Sequence, residues 1–394
     1  MIHPAGRIVN MKRYIFDEIA RMKKEDRRDP SELVDLGIGN PDQRPDPRIL
    51  EILSRQMNST DFQNHRYSPF DGAPELRSAI AGWYQRRFGA TVDPGDEVLP
   101  LIGSKEGIAH LLMAYIDPGD TVVIATPCYP AYLGAAGVAE TNTVELALRA
   151  ENDFLPDFSD IHPEVWDRAK FLFLNYPNNP TGAVCEIQTF EDALALARKH
   201  DFVVCSDLAY SELALDPDCP TPSIMQIDGA ANHALEFHSF SKSYNMAGWR
   251  LGWVVGNSEV ISNLMKIKAN MDFSAFLAIQ RTGAEILDSG IDYAAAQREL
   301  YRRRRDLICD GFREFGWELK KPRAAMYIWD RVPGRYKDAF HFVTDFFKAT
   351  GVLVSPGSAF GAHTHEFMRM SMVVDDESIH RMFEKTKASG FRFD

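Results

Sequence analysis

Short apolar runs recur along the chain, each followed by polar residues and then by a helical pattern. "TVVIATP" begins at Thr121, "FLFLNYP" at Phe171, "FVVCSD" at Phe202 and "LEFHSFSK" at Leu235. Between the second and third runs, Phe190, Ala193, Leu194 and Ala197 fall at i, i+3, i+4 and i+7, which is one face of a helix. Strand, helix, strand at this spacing predicts an α/β chain with a mainly parallel sheet and helices on both of its faces. After about residue 290 the pattern changes to a long charged helix and then "AAMYIWDRVP", "VLVSPGSAFG" and "FMRMSMVV", which predict a smaller α+β domain with its own sheet. The opening segment, with "ELVDLGIGNPD", is expected to pack against that last unit. The expected parts are therefore 1–47, a large domain over 48–290 and a small carboxyl-terminal domain over 291–394.

At 394 residues the chain exceeds the usual size of one core, in line with two domains. Its 44 basic and 56 acidic residues give a net charge of −12, which repels a polyanion and argues against a nucleic-acid partner. The run Arg302 to Arg305 is the local exception, and its helical, acidic surroundings predict a solvated helix face. Five cysteines without a CxxC pattern read as reduced thiols of a cytoplasmic protein. No apolar run reaches the roughly 18 residues of a membrane span, and the amino-terminal stretch lacks the apolar core of a signal peptide. His363 and His365, two apart in "HTHE" with no further ligands in view, do not make a metal site.

In a parallel sheet the ligand lies beyond the carboxyl ends of the strands. Tyr129 follows the first run, "NYPNNPTG" (175–182) the second, Asp207 and Tyr210 the third, and Ser239, Ser241 and Lys242 the fourth, so four strands deliver polar groups to one edge. A lysine there could be a surface charge, a phosphate clamp or a Schiff-base amine. The chain has no GxxxxGK[ST], no GxGxxG after a strand and no GxSxG, so nucleotide, nicotinamide and serine-hydrolase sites lack their signatures. Anion binders are nevertheless present. "LIGSKEGIAHLLMAY" starts a helix at Gly103 and Ser104, whose free N–H groups and dipole face an anion, and Ser239 and Arg250 bracket Lys242.

One phosphate beside one amine points to pyridoxal 5′-phosphate. Asp207 would then be the counter-charge for a protonated pyridine nitrogen. Tyr210 and Asn179 stand in the loops that reach the ring 3′-oxygen, and Tyr129 can stack on the ring. Each has a plainer alternative. Asp207 could cap the following turn, Tyr129 could pack between prolines, and Lys105 could offer only its backbone N–H.

The motifs "YSPFDGAPELR", "GSKEG", "PCYPAY", "NYPNNPTG", "SDLAYSEL" and "SFSKSYNMAGWRLG" together resemble the class I aminotransferases of fold type I, nearly end to end. That resemblance implies a large domain around a seven-stranded, mainly parallel sheet plus a smaller α+β domain, with pyridoxal 5′-phosphate as cofactor. It implies that Lys242 bonds the cofactor aldehyde and then moves a proton from the substrate Cα, and that Asp207 holds the ring nitrogen. Asn179 and Tyr210 are implied at the 3′-oxygen, and Ser104, Lys105, Ser239 and Arg250 at the phosphate, with Ser241 beside them. Tyr67 is implied to reach the phosphate of a neighbouring subunit, which means a homodimer with shared sites. Arg369 is implied to grip the substrate α-carboxylate, with Gly39 and Asn179 lining the same pocket.

Within this group the chain is most similar to bacterial alanine (glutamate–pyruvate) aminotransferases and then to LL-diaminopimelate aminotransferases. The implied donors are L-amino acids of the alanine or glutamate type, with 2-oxoglutarate or pyruvate as acceptor. Gln43 and Arg44 in "GNPDQRPDP", and Ser68 and Phe70 in "YSPFDG", depart from the family pattern, so Arg44 is either a surface arginine or a second reader of substrate charge. A β- or γ-eliminating lyase, such as a C–S lyase, would need the same residues. A regulator carrying an aminotransferase-like domain would need a winged-helix module ahead of it, and the family pattern here begins by residue 36.

Overall fold

The computed structural model describes residues 2–11 and 15–393; Met1, residues 12–14 of the amino-terminal stretch and Asp394 lie outside the described residues. A short strand β1 (Val34–Asp35) comes first. Then follow β2 (Val98–Leu101), β3 (Thr121–Thr126), β4 (Asn142–Ala147), β5 (Ala169–Asn175), β6 (Val203–Asp207), β7 (Ala234–Ser239) and β8 (Gly252–Gly256). The last four are β9 (Tyr327–Arg331), β10 (Val352–Leu353), β11 (Ser355–Pro356) and β12 (Phe367–Ser371).

Strands β2 to β8 form one seven-stranded sheet in the order β2-β8-β7-β6-β5-β3-β4. β4, β3, β5, β6 and β7 run parallel, whereas β8 is antiparallel to both β7 and β2. All residues of β3, β7 and β8 are buried; in β3 and β8 this matches largely apolar runs, whereas β7 buries Glu236 and His238 between its apolar residues. β4 lies at the edge and is mostly half-exposed. The helix Ile187–His200 buries Phe190, Ala193, Leu194 and Ala197, the face its spacing predicts. Its last turn carries Arg198, Lys199 and His200, which suit the negative end of the helix dipole.

A second group of strands sits apart, with its own buried cluster. β12 pairs antiparallel with both β9 and β11, and β1 runs parallel to β10 with Val34 opposite Val352. The strap after β1 is laced to β11 and β12: Ser371 N donates to Leu36 O at 2.7 Å, Ser355 Oγ to Gly37 O at 2.7 Å and Ser371 Oγ to Ile38 O at 3.0 Å.

The arginine run departs from the expected solvated face. Arg304 is 2% exposed and Arg305 7%, on the helix Ala295–Glu314. Arg304 forks onto both oxygens of Asp42 at 2.8 Å and also donates to Met372 O, just after β12. Arg305 reaches Asp216 and Pro322 O, and Arg302 reaches Leu215 O. The run therefore joins three segments distant in sequence, and planar guanidinium forks are suited to that task. Charge pattern alone could not show this, because the partners lie at positions 42, 216 and 372.

Breaking a buried ion pair leaves the other charge uncompensated, at a cost of about 3–5 kcal/mol. Asp42 is itself solvent-accessible and Arg304 keeps Asp376 and Met372 O, so Asp42→Ala is expected to lower unfolding stability by less than that, about 1–3 kcal/mol, in urea titration. Arg303→Ala, whose pairing with Asp376 is solvent-exposed, is expected to cost under about 1 kcal/mol.

Candidate active site

Beyond the carboxyl ends of β5, β6 and β7 lies a cavity of about 380 Å³. From the strap it receives Gly39, and from the start of the helix Ser104–Tyr115 it receives Ser104 and Lys105. Tyr129 follows β3, Asn179 follows β5, and Asp207 and Tyr210 come from the end of β6. Ser239, Ser241, Lys242 and Arg250 arrive between β7 and β8, and Arg369 comes from β12. Every site residue expected from the sequence thus lines one cavity except Tyr67, which is 89% exposed and packs on Phe273 with ring centroids 5.5 Å apart.

Lys242 Nζ donates to Gly39 O at 2.9 Å. Burial, together with the positive fields of Arg369 and Arg250, pushes its amine down to about 8. Asp207 is 6% exposed and lies at the end of β6. Its hydrogen bonds come from Tyr132 Oη at 2.5 Å and Ala209 N at 3.2 Å, and neither donor is cationic. Burial raises its carboxyl to about 6, which the bonds from Tyr132 and Ala209 only partly oppose. A buried carboxylate without a cationic partner among the described residues fits a ligand that brings its own positive charge.

The opposite end of the cavity is built for an anion. Gly103 caps the helix with φ +79, and Ser104 and Lys105 occupy its first turn. A Cβ at Gly252 would stand 2.9 Å from Ser104 N, so this glycine lets β8 come up against the helix start. Arg250, itself in the left-handed region at φ 57, donates to Ala247 O and Ile102 O beside that turn. Ser239 Oγ accepts from Ser241 N, capping the short turn that carries Lys242. An amine, an isolated carboxylate and an anion cradle in one cavity fit pyridoxal 5′-phosphate.

Arg369 Nη1 donates to Asn179 Oδ1 at 3.0 Å and Nη2 to Gly37 O at 2.6 Å. Its guanidinium lies over the rings of Tyr327 and Phe360 at 4.3 and 4.6 Å. Tyr210 Oη shares a hydrogen bond of 3.0 Å with Tyr327 Oη, and Asn179 Nδ2 stands 3.5 Å from the same phenol. Two residues of this network escaped sequence reasoning. Tyr132 stands three residues after Tyr129 in "PCYPAY", the spacing of one helical face, and among the described residues it alone gives Asp207 a side-chain bond. Tyr327 in "AAMYIWDRVP" carried no local signal. A Cβ at Gly39 would collide with its hydroxyl at 2.2 Å, which explains a glycine in the strap.

The two departures from the family pattern lie outside the cavity lining of this chain. Gln43 and Arg44 are exposed, with Arg44 held by its carbonyl to Asn245. Ser68 is buried and donates to Ala275 O, and Phe70 is 45% exposed. In "HTHE", His363 and His365 are exposed while Thr364 turns inward onto Gly357 O and Gly361 O.

A family model described as aminotransferase class I and II matches residues 31–385. Among curated relatives, the LL-diaminopimelate aminotransferase of Halothermothrix orenii is 40% identical, covering 99% of this chain and 99% of its own. Among solved structures, a probable N-succinyldiaminopimelate aminotransferase from Thermus thermophilus is 34% identical with a TM-score of 0.87, over 95% of this chain and 100% of that one. A double mutant of Thermus thermophilus aspartate aminotransferase is 29% identical with a TM-score of 0.89, over 99% and 100%.

The buried amine has a consequence for stability that can be measured without ligand. Lys242 titrates at about 8 in the folded protein against 10.5 when unfolded, so between these values the unfolded chain binds more protons. Stability of the ligand-free protein should therefore rise with pH from about 8 to 10.5. Below 8 the penalty is fully present, at about 3 kcal/mol. Lys242→Met should remove both the penalty at pH 7 and the slope, as read by urea unfolding across that range.

Proposed function

The chain belongs to the class I and II aminotransferases, enzymes that use pyridoxal 5′-phosphate to transfer amino groups, and on that premise we propose that it takes LL-diaminopimelate as amino donor and 2-oxoglutarate as acceptor. The observation that carries the chemistry is the pairing, in one cavity, of Lys242 with the buried Asp207 that lacks a cationic partner among the described residues. The donor is supported by relatives of that name at about 40% identity over nearly the whole chain. The alanine and glutamate donors implied by the sequence stand as the alternative that the test below separates.

When bound, the cofactor supplies an electron sink for the charge left on the substrate Cα. Lys242, whose amine burial lowers to about 8 and so makes easier to deprotonate than an ordinary lysine, would bond the cofactor aldehyde with loss of water and, once displaced by the substrate amine, would take the proton from Cα. Asp207, oriented by Tyr132, would hold a positive charge at the ring nitrogen. Tyr210 and Asn179 would hydrogen-bond the ring 3′-oxygen, Tyr129 would cover the ring face, and Ser104, Lys105, Ser239, Ser241 and Arg250 would hold the phosphate. Arg369 exchanges its bond to Asn179 or Gly37 O for the substrate α-carboxylate, a planar group that its fork matches.

Tyr67, Phe62 and Met271 are 89, 64 and 58% exposed, with Phe273 and Phe276 beside them. An apolar patch of this kind on one chain suits a second copy, which would bring its Tyr67 to this cavity and complete a homodimer with shared sites. The carboxyl-terminal cluster and the strap support a division at 1–47, 48–290 and 291–394. Among the described residues no helix is long and apolar enough to cross a membrane. The five cysteines are all free, and that supports a cytoplasmic location.

A spectrophotometric screen of amino donors against the holoenzyme tests the substrate. LL-diaminopimelate should bleach the visible absorbance in one half-reaction without releasing ammonia, and rapid bleaching by alanine or glutamate with none by LL-diaminopimelate would overturn the donor. Mixing Tyr67→Phe subunits with Lys242→Ala subunits tests sharing. One site of each hybrid then carries both lesions and the other neither, so activity should partly recover, and hybrids that form without recovery would exclude a shared site.

A further inference from the structure

Behind the anion cradle lies a charged group that the reaction does not use. Lys268, on the helix Ser258–Met271, is 0% exposed, and its Nζ stands 3.1 Å from Glu106 Oε1 and 3.1 Å from Asp272 Oδ1. His110 Nδ1 lies 2.6 Å from the same Glu106 oxygen and 3.9 Å from Asp272 Oδ2. Glu106, His110 and Asp272 have the spacing of metal ligands, but the Lys268 ammonium already bonds both carboxylates.

The cluster touches the cradle through one residue. Glu106 is in the first turn of the helix Ser104–Tyr115, and its other oxygen accepts Ile102 N at 2.9 Å. Ile102 O accepts from Arg250 on its other side. The residue before Gly103 is thus fixed by a carboxylate at its N–H and a guanidinium at its carbonyl, and this sets where Gly103, Ser104 and Lys105 present their N–H groups. The carboxylate that shapes the loop also places a negative charge close to where a phosphate dianion would bind, and in a site partly shielded from water that repulsion is felt. The buried ammonium, shared with Asp272, offsets part of it.

We propose that Lys268 is a positioning residue for the cofactor phosphate: it offsets the charge of Glu106, so that the Glu106 carboxylate can fix the loop at Ile102 with less repulsion of the anion that the loop holds. The proposal rests on reading Ser104, Lys105, Ser239 and Arg250 as the phosphate site.

The test compares binding of pyridoxal 5′-phosphate with that of pyridoxal, which lacks the phosphate, by absorbance titration of the cofactor-free protein. Lys268→Met should weaken pyridoxal 5′-phosphate binding on the order of tenfold or more while leaving pyridoxal within a few-fold. Adding Glu106→Gln to that variant keeps an acceptor for Ile102 N and removes the charge, so it should restore the preference for the phosphorylated form. Equal losses for both ligands would mean that Lys268 only packs the fold, and unchanged binding of both would also overturn the proposal. Should Lys268→Met fail to fold, the single Glu106→Gln variant decides: its preference for the phosphorylated ligand should hold or rise, and a fall refutes the idea. Arg250→Gln is the control. If it leaves the preference unchanged, the phosphate lies elsewhere and the site reading fails; if it lowers the preference while Lys268→Met does not, only this inference fails.

Discussion

The site is organised around a carboxylate that the fold buries and leaves without a protein cation. Asp207 ends β6 in the middle of the sheet, and two neutral donors are what the chain gives it. Burying such a group unpaired is costly, so the arrangement makes sense when a ligand supplies the missing charge. Lys242 mirrors it: an amine packed by protein, beside two guanidinium fields, with a carbonyl as its hydrogen-bond partner. On the proposed assignment both would be relieved at once, the acid by a positive ring nitrogen and the amine by an aldehyde.

Those two groups must be held against their own electrostatic discomfort, and the sheet does this. Five parallel strands give a shared carboxyl edge, and the antiparallel β8 closes the sheet beside β2 so that Gly252 meets the start of the helix that cradles the anion. The Glu106–Lys268 pair and Arg250 grip Ile102 from two sides at that point. The anion end of the cavity is consequently set by backbone placement as much as by side chains.

The other wall of the cavity is not made by the sheet at all. The strap through Gly39 belongs to the amino terminus, yet it is held by β12 and by Arg304 on a late helix. Arg369, the proposed holder of the substrate carboxylate, lies on that same β12 and donates to the strap at Gly37 O. Substrate recognition and the position of the strap are therefore mechanically linked, because a single strand supports both.

Much of this was legible in the chain. Apolar runs at β3, β5 and β6, with the part-polar β7 following at the same spacing, announced a parallel sheet because strands covered on both faces have little polar side to alternate with. The residues just after those runs had to share one edge for the same reason, so Asn179, Asp207, Tyr210, Ser239 and Lys242 could be brought together from spacing alone, and the family motifs added Gly39 and Arg369. What the sequence could not decide was any contact between groups far apart in it. Arg304 and Arg305 read as surface charge because charge pattern registers neighbours a turn away and not a carboxylate at position 42 or 216. Tyr132, Tyr327 and Lys268 were silent for the same reason: a phenol or an ammonium acquires a role only through what the folded chain places within about 3 Å of it. Local pattern fixes which elements form and which way their ends point, whereas burial and pairing across the fold decide which charges are compensated and which are left for a ligand.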